Sequence, residues 1–469
     1  MKKAGLFLLL TFTILSINAQ VRPGNLPLTG VQAQFTNAET TSKLNFPKAT
    51  KRFYSEKGFA FAFLTDSNSS KAWQAMLLID CVLQYGLAPS DYHPQEVLYD
   101  KLQAITQTPD KVDDREKVRF DIMLTDAMLT MMNNLHYGKL NPVYSQAVID
   151  NGTGLPFNAE KRLSSILSQP DITEGILAVQ PASKTYSDLQ YKMRQLKGQY
   201  DGDCYTIPEE TIRRIAINME RIRWAGLDDN TAYVHINIPS FKLIYHLPNE
   251  EKEFKVIVGG AATPTPVLQS KISYFTTAPE WKVPNSIFTK EILPKAVKNP
   301  TYLAQNNYTL YNQLGPVENP DQQTLKNILK SPKGYYAKQS SGCDNALGLL
   351  VFRFKNIYSV YLHDTPDKDL FNRTRRDLSH GCIRIENPEV FAALLLKTDG
   401  QAKQIAQLKK NILTEKRQNF TLNKPLPIKI TYLTCNIIDG ELVTYNDVYA
   451  LDKGLEVALY NVTEAQTLK

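Results

Sequence analysis

The chain has 469 residues, of which 43% are hydrophobic and 22% are charged, and its formal net charge is +7. This balance is typical of a globular protein with two or three domains, and it excludes a low-complexity chain. A net charge this small for the length, with no basic run that interleaves aromatic residues, makes nucleic acid an unexpected partner.

The first residues have the pattern of a signal peptide. Lys2 and Lys3 precede an apolar run at 6–15, and Ala19 offers a cleavage site, so residues 1–19 are predicted to be removed on export to the periplasm or cell envelope. The run is too short to span a bilayer comfortably, and no later segment approaches that length, so no integral membrane segment is expected. The five cysteines are an odd number for an oxidising compartment. Cys382 is expected to stay free, and the pairing of the others is left open: Cys81, Cys204, Cys343 and Cys435.

Residues 20–205 are predicted to form a helical scaffold domain. The stretch at 21–50 is predicted to be extended, and the apolar spacing predicts helices over 70–79 and 114–135 and shorter ones within 158–197. This part holds no catalytic combination of residues. A scaffold or partner-binding role is therefore expected, with protein partners unknown.

Residues 206–450 are predicted to form a mostly β domain, followed by a C-terminal tail at 451–469. An amphipathic helix at 206–224 comes first, and the apolar period then changes to two. Residues 286–335 have a helical and loop-rich pattern and are predicted to be an insertion. The predicted strands are 233–238, 242–247, 253–258, 349–354, 357–363, 428–433 and 441–445, and the later predicted helices are 388–396 and 401–413.

One segment unites the residue types that nucleophilic chemistry needs. His363 and Asp364 come first, and Ser379-His380-Gly381-Cys382 follows. A cysteine attacks as a thiolate, and a nearby imidazole favours that form. Gly381 would let a substrate carbonyl approach backbone N–H groups closely, and the apolar residues before His363 predict a buried strand that holds it rigidly. Thiol acyl transfer is the first hypothesis.

Two other interpretations stay open at this point. Cys382 and His363 could be ordinary buried core residues. His363, His380 and Cys382 could instead be metal ligands, but no second CxxC or HxxxH pair completes a four-ligand set, so no metal site is expected.

Residues 361–385 resemble the signature of the L,D-transpeptidase (YkuD-like) catalytic domain. Fifteen residues separate His363 from Ser379, which opens the Ser-His-Gly-Cys sequence. The stretch from Trp281 to Asn285 is similar to the large periplasmic (YcbB-type) branch with a helical scaffold domain. That branch also shares Arg384, where the family signature often has Asn. Many members carry a small peptidoglycan-binding module, for which residues 198–206 are too short, so its presence here is in doubt.

The resemblance implies a multidomain α+β fold: a helical N-terminal scaffold domain, then a mostly β catalytic domain with a helical and loop-rich capping insertion. It implies an enzyme that forms 3→3 crosslinks between peptidoglycan stem peptides through a cysteine thioester and releases the terminal D-alanine of a tetrapeptide stem. An L,D-carboxypeptidase with water as acceptor and a non-catalytic envelope-binding scaffold protein are the alternatives. No cofactor is expected, and carbapenem-type inhibitors are expected to acylate the enzyme.

The resemblance also assigns roles at the site. Cys382 is the nucleophile and His363 the base, oriented by Asp364 or by a backbone carbonyl. His380, Ser379 and Gly381 are expected to support the loop, with the N–H groups near Gly381 and Cys382 forming an oxyanion hole. Arg384 is expected to bind a stem carboxylate or to pair with Glu386. Asp364, Trp281 and Asn285 are further candidates for substrate binding, whereas Tyr361 is expected to point into the core.

Overall fold

The structure is a computed structural model that describes residues 30–65, 67–197, 210–227, 231–247 and 250–460. The predicted signal peptide and the short interval at 198–206 lie outside this set. Among the described residues, no helix combines the length and the apolar character needed to cross a membrane.

Helices and loops form the described chain from residue 30 to residue 197, which confirms the predicted helical N-terminal part. The longest helix, at residues 114–137, starts where the Asp113 side chain accepts the Arg115 N–H and stops at Gly138, and its middle is buried in the domain core. The helices are α1 (Gly30–Gln34), α2 (Ala38–Thr41), α3 (Pro47–Glu56), α4 (Ser69–Asp80), α5 (Tyr99–Gln107), α6 (Asp114–Tyr137), α7 (Gln146–Asn151), α8 (Ala159–Ile166), α9 (Thr173–Leu177) and α10 (Lys184–Lys197).

The extended conformation predicted for residues 21–50 is wrong in its described part. The side chain of Asn37 accepts the Glu39 N–H and so begins α2, and Pro47 occupies the first position of α3. Both are helix-start signals that the high content of polar residues obscured.

Helix α11 (Glu210–Ala225) joins the helical part to the β-rich part. Arg223 is buried beside Glu220 and donates from Nη2 to the Tyr85 carbonyl (2.5 Å), which anchors α11 to the helical side. Arg221 pairs with Asp452 at 2.5 Å on the other side. Charges this deeply buried require partners, so the two halves are held in one arrangement.

A nine-stranded sheet forms the centre of the β-rich part. Its order is β11-β3-β12-β10-β9-β4-β13-β1-β2, and because β2 also pairs with β3, the sheet closes on itself like a barrel. Its strands are β1 (Tyr233–Asn237), β2 (Lys242–Leu247), β3 (Glu250–Gly259), β4 (Leu268–Thr277), β9 (Leu350–Phe354), β10 (Leu362–His363), β11 (Asp377–Ser379), β12 (Ile383–Ile385) and β13 (Gln418–Thr431). Helices α16 (Pro388–Thr398), α17 (Ile405–Leu413) and α18 (Asp452–Tyr460) and the hairpin β14 (Cys435–Ile438) and β15 (Glu441–Thr444) complete this part.

Between β4 and β9, the chain leaves the sheet and forms a unit with its own apolar core. Four strands in the order β5-β8-β6-β7 make its sheet, so the sequence prediction of helices and loops missed these short strands. Its elements are β5 (Trp281–Lys282), α12 (Asn285–Ile287), α13 (Leu293–Lys298), α14 (Tyr302–Gln305), β6 (Tyr308–Asn312), β7 (Gly315–Val317), α15 (Gln322–Lys330) and β8 (Tyr336–Gln339). We call residues 281–339 the insertion.

Two strand predictions in the large sheet need correction. The sequence analysis did not predict β4, and the strand predicted over 357–363 is reduced to Leu362 and His363. The side chain of Asn356 accepts the Tyr358 and Val360 N–H groups and folds this stretch into a turn, which leaves Ile357 90% exposed.

Candidate active site

Two neighbouring parallel strands bring the halves of the sequence motif together. In the β10–β12 pair, His363 lies opposite Arg384, and the Ile383 N–H donates to the Tyr361 carbonyl at 3.1 Å. Side chains alternate along a strand, and residues paired across parallel strands share a face. Tyr361, His363, Cys382 and Arg384 therefore form one patch, with Tyr361 beside Cys382 and His363 beside Arg384.

The expectation that Tyr361 points away from His363 was wrong. Residues two apart on a strand share a face, and the two rings lie 5.7 Å apart. The Tyr361 hydroxyl acts to lower the pKa of the Cys382 thiol, and the Arg353 guanidinium lies 5.0 Å from the centre of the Tyr361 ring. The sequence reasoning thus missed Tyr361 and Arg353. The two-residue spacing from His363 was the signal that could have found the tyrosine, whereas nothing local in the sequence marks the arginine.

His363 is held in one tautomer. Its Nδ1 lies 2.5 Å from the Asp364 backbone carbonyl, which can only accept, so Nδ1 carries the proton and Nε2 has a free lone pair. Burial, followed by the positive charge of Arg384, lowers the pKa of His363 to about 3. The imidazole is therefore neutral at physiological pH, with an unprotonated Nε2.

Cys382 is a thiol at rest. Burial raises the pKa of Cys382, while the Tyr361 N–H and hydroxyl and the charge of Arg353 act in the opposite direction without overcoming it. A thiol beside a neutral imidazole, rather than a preformed thiolate–imidazolium pair, is the resting arrangement. Such a thiol needs a base at the moment of attack.

The turn before Cys382 is closed by Ser379. Its hydroxyl accepts the Gly381 N–H (3.1 Å) and donates to the Cys382 carbonyl (2.5 Å). Gly381 has a φ of +109°, a conformation that side chains disfavour, and a Cβ on Gly259 would lie 2.9 Å from its Cα. Because Ser379 already uses the Gly381 N–H, only the Cys382 N–H remains of the two donors predicted for an oxyanion hole.

Arg384 carries a donor without an acceptor. Its Nη1 bonds to Asp367 at 3.1 Å, and its Nε is buried with no hydrogen-bond partner among the described residues. The predicted pairing with Glu386 is wrong, because Glu386 pairs with Lys255 instead. A half-buried guanidinium beside His363 with an unsatisfied Nε fits a site for a carboxylate ligand.

The carboxylate of Asp364 is occupied within the fold. It accepts the N–H groups of Leu349 (2.9 Å) and Thr365 (2.7 Å) and forms an ion pair with Lys368. Its backbone carbonyl, rather than its carboxylate, therefore orients His363. This arrangement favours a positioning role for Asp364 over the substrate-binding role expected from the sequence.

The insertion approaches the patch at two points. His380 Nε2 lies 2.7 Å from Glu291 of the insertion, and both side chains are partly exposed. The Tyr361 side chain packs against the apolar core of the insertion, which includes Trp281. Asn285 is exposed at the first residue of α12, and its carbonyl accepts a local hydrogen bond, so the structure does not join it to the patch.

Among the described residues, no cluster of three or more His, Cys, Asp or Glu side chains is arranged to hold a metal. Cys343, Cys382 and Cys435 are free thiols, and Cys204 lies outside the described residues.

Each of the two parts of the chain matches the model of a known family. The family model of the L,D-transpeptidase catalytic domain (YkuD) matches residues 231–407, and the model of the Scaffold domain matches residues 48–193. A protein of Haemophilus influenzae named "Putative L,D-transpeptidase" is 33% identical over 255 residues. The match covers 53% of this chain and 50% of that relative, so the chain spans about half the length of the curated relative it matches.

Proposed function

We propose that this chain, which carries a YkuD L,D-transpeptidase catalytic domain and a Scaffold domain, is a cysteine acyltransferase that forms 3→3 crosslinks in peptidoglycan. The observation that carries the proposal is the shared face of His363 and Cys382 on adjacent parallel strands. Because Nδ1 of His363 is bonded to the Asp364 carbonyl, Nε2 carries the lone pair that accepts the thiol proton.

In the first half-reaction, the thiol of Cys382 attacks the carbonyl of the L-centre in a tetrapeptide stem. The thiol proton passes to Nε2 of His363, and a bond forms between the sulfur and the carbonyl carbon. The C–N bond to the terminal D-alanine then breaks. The imidazolium returns its proton to the leaving amine, and a thioester remains on Cys382.

In the second half-reaction, the side-chain amine of a neighbouring stem attacks the thioester. His363 removes the proton from this amine, the new amide forms, and Cys382 leaves as the thiol. The energy of the original peptide bond is kept in the thioester, so the exchange requires neither ATP nor a cofactor. We assign the developing oxyanion to the Cys382 N–H and the hydroxyl of Tyr361.

Arg384 is assigned to the free carboxylate of the donor stem, since its buried Nε lacks an acceptor among the described residues. We assign residues 20–205 to the scaffold domain and 206–450 to the catalytic domain, with 286–335 as the capping insertion. The contact of His380 with Glu291 supports that capping role.

Export to the cell envelope belongs to the same proposal. Peptidoglycan lies outside the cytoplasm, and the basic and apolar pattern of residues 1–19 is that of a signal peptide. N-terminal sequencing of the protein recovered from a periplasmic fraction is expected to begin at Gln20. Full-length protein confined to the cytoplasm would contradict export.

The function is tested with purified protein and muropeptides that bear tetrapeptide stems. Crosslinked dimers and free D-alanine are the expected products, and Cys382→Ala is expected to give neither. Tripeptide monomers without dimers would contradict transfer and support an L,D-carboxypeptidase. No product with the wild-type protein would favour a non-catalytic envelope-binding role.

A further inference from the structure

A cavity of about 550 Å³ lies where the helical domain meets the β-rich domain. Its volume is in the range of about 300–1,000 Å³ that is typical of small-ligand sites. The helical domain contributes His136, Phe157 and Arg162, and the opposite wall includes Trp224 and Gln269. None of these residues takes part in the proposed reaction.

The cavity is remote from the catalytic patch. Gln269 lies near the start of β4, whereas Thr276 at the other end of that strand pairs with Val351, which in turn pairs with His363. Seven residues of strand correspond to about 23 Å at about 3.3 Å per residue. A ligand in this cavity would therefore anchor the protein rather than enter the reaction.

Aromatic side chains form one wall of the cavity in a fixed arrangement. The His136 ring stacks on Phe157 with their centres 4.3 Å apart, and the rings of Tyr137 and Tyr144 are 5.0 Å apart. The Tyr137 hydroxyl donates to the Phe157 carbonyl (2.7 Å) and accepts the Phe157 N–H (3.0 Å). These bonds set the wall before any ligand arrives, which lowers the entropy cost of binding.

Polar groups fix the remaining walls. The Asn141 side chain accepts the N–H groups of Val143 and Tyr144, which holds their loop. The Trp224 indole N–H donates to the Glu220 carboxylate (3.0 Å), and the backbone carbonyl of Trp224 accepts a hydrogen bond from the Gln269 side chain (2.8 Å). Aromatic faces interspersed with amide groups match the alternating apolar and hydroxyl surfaces of a sugar ring.

The charges of the lining have one sign. Arg162 and Arg223 line the cavity, and no Asp or Glu does so. Arg223 is engaged by Glu220 and Tyr186. By contrast, the half-buried Arg162 guanidinium has no hydrogen-bond or ion-pair partner among the described residues. An anionic group on the ligand would supply that partner.

We propose that this cavity binds a peptide-free stretch of the glycan strand of peptidoglycan, with sugar faces on the aromatic wall and the free carboxylate of a muramic acid without a stem paired with Arg162. The inference rests on the proposed function, because it assigns an anchoring site for the same polymer. A strand held at a sugar without a stem leaves the stems of other sugars available to the distant thiol.

The test uses peptide-free glycan strands, which carry a carboxylate on each muramic acid and no stem for the catalytic patch. Binding is measured in the Cys382→Ala protein, where no reaction occurs. Arg162→Gln is expected to weaken binding about five- to tenfold, and Arg162→Lys less. Lys161→Gln removes the same charge from an exposed neighbour on α8 and is expected to leave the affinity unchanged.

Equal affinities for Arg162→Gln and the Cys382→Ala parent would overturn the inference, and so would an equal loss with Lys161→Gln. Tight binding of neutral N-acetylglucosamine oligomers would also contradict recognition of the carboxylate. These results are independent of the reaction: the proposed function fails if wild-type Cys382 forms no thioester, whether or not the glycan binds.

Discussion

The scaffold core and the catalytic patch both bury polar groups, but the core supplies hydrogen-bond partners for them and the patch leaves some without partners. The carboxylate of Asp121 in α6 is fully buried, and it accepts the Tyr54 hydroxyl (2.6 Å) and the N–H groups of residues 62–64 at 2.8–2.9 Å. Burial raises the pKa of Asp121, and these donors counteract it. Every oxygen of this group is thus satisfied by the fold.

The catalytic patch leaves its buried groups incomplete. Arg384 has an unpartnered Nε among the described residues, and burial moves the pKa of His363 down and that of Cys382 up, so both stay neutral. A buried polar group whose hydrogen bonds are all made within the fold stabilises a domain, whereas one that lacks a partner is available to substrate. Substitutions in the two regions should therefore separate activity from stability.

The largest expected effect on activity comes from His363→Ala. Loss of the base should lower kcat/KM for crosslinking about 10²–10⁴-fold, because the resting thiol then has no proton acceptor. The kinetics are measured on folded protein, because truncation of this buried ring also lowers stability. His380→Ala is the matched variant, and a loss as large as that of His363→Ala would contradict the assignment of the base.

The largest expected effect on stability comes from Asp121→Ala. Removal of the carboxylate leaves the N–H groups of residues 62–64 without their acceptor, whereas the Tyr54 hydroxyl keeps Thr125 as a partner, so the free energy of unfolding should fall by about 3–5 kcal/mol. Denaturant titration measures this change, with the exposed Asp110→Ala as control. If Asp121→Ala molecules that remain folded lost as much transpeptidation activity as His363→Ala, the effects on stability and on activity would not separate between the two regions.

Arg384→Gln should affect substrate binding more than chemistry. Loss of the charge should raise KM for the donor stem about tenfold or more, because a carboxylate partner is lost. Arg384→Lys should restore part of the affinity but not the planar geometry. Unchanged KM values for both variants, measured with donor stems, would remove Arg384 from the binding site.

The pH dependence of kcat/KM tests the protonation states of the catalytic patch, and the expected effect is smaller. Because the pKa of His363 is lowered to about 3, the imidazole stays unprotonated well below pH 6.5. Because burial raises the pKa of Cys382, the thiolate fraction should increase only on the alkaline side. The profile of kcat/KM should therefore lack an acid inflection near pH 6.5. An inflection there that disappears in His363→Ala would contradict a neutral base.

Sequence patterns predicted the elements that carry strong local signals. The helices α4 and α6 have long amphipathic or apolar faces, β1 to β3 alternate clearly, and the motif around Cys382 indicated the family whose model matches residues 231–407. The order of the nine strands depends on pairings far apart in the chain, which no local pattern contains.

The missed features of the site share that cause. Arg353 reaches the patch from β9 across Tyr361, and Asp367 replaces Glu386 as the partner of Arg384. Both contacts depend on tertiary structure. The turn at Asn356 was missed for another reason. The apolar run after Asn356 predicts a strand, but the Asn356 side chain accepts the Tyr358 N–H and folds this stretch into a turn.

The central claim is that Cys382 carries the acyl group, and intact-mass analysis after exposure to a carbapenem tests it most directly. One adduct per chain is expected, located by peptide mapping on Cys382. Cys382→Ala should show no adduct, whereas Cys343→Ala, which removes an exposed free thiol, should be acylated like the wild type. Absence of an adduct on the wild-type protein, or an adduct that persists in Cys382→Ala, would contradict the account.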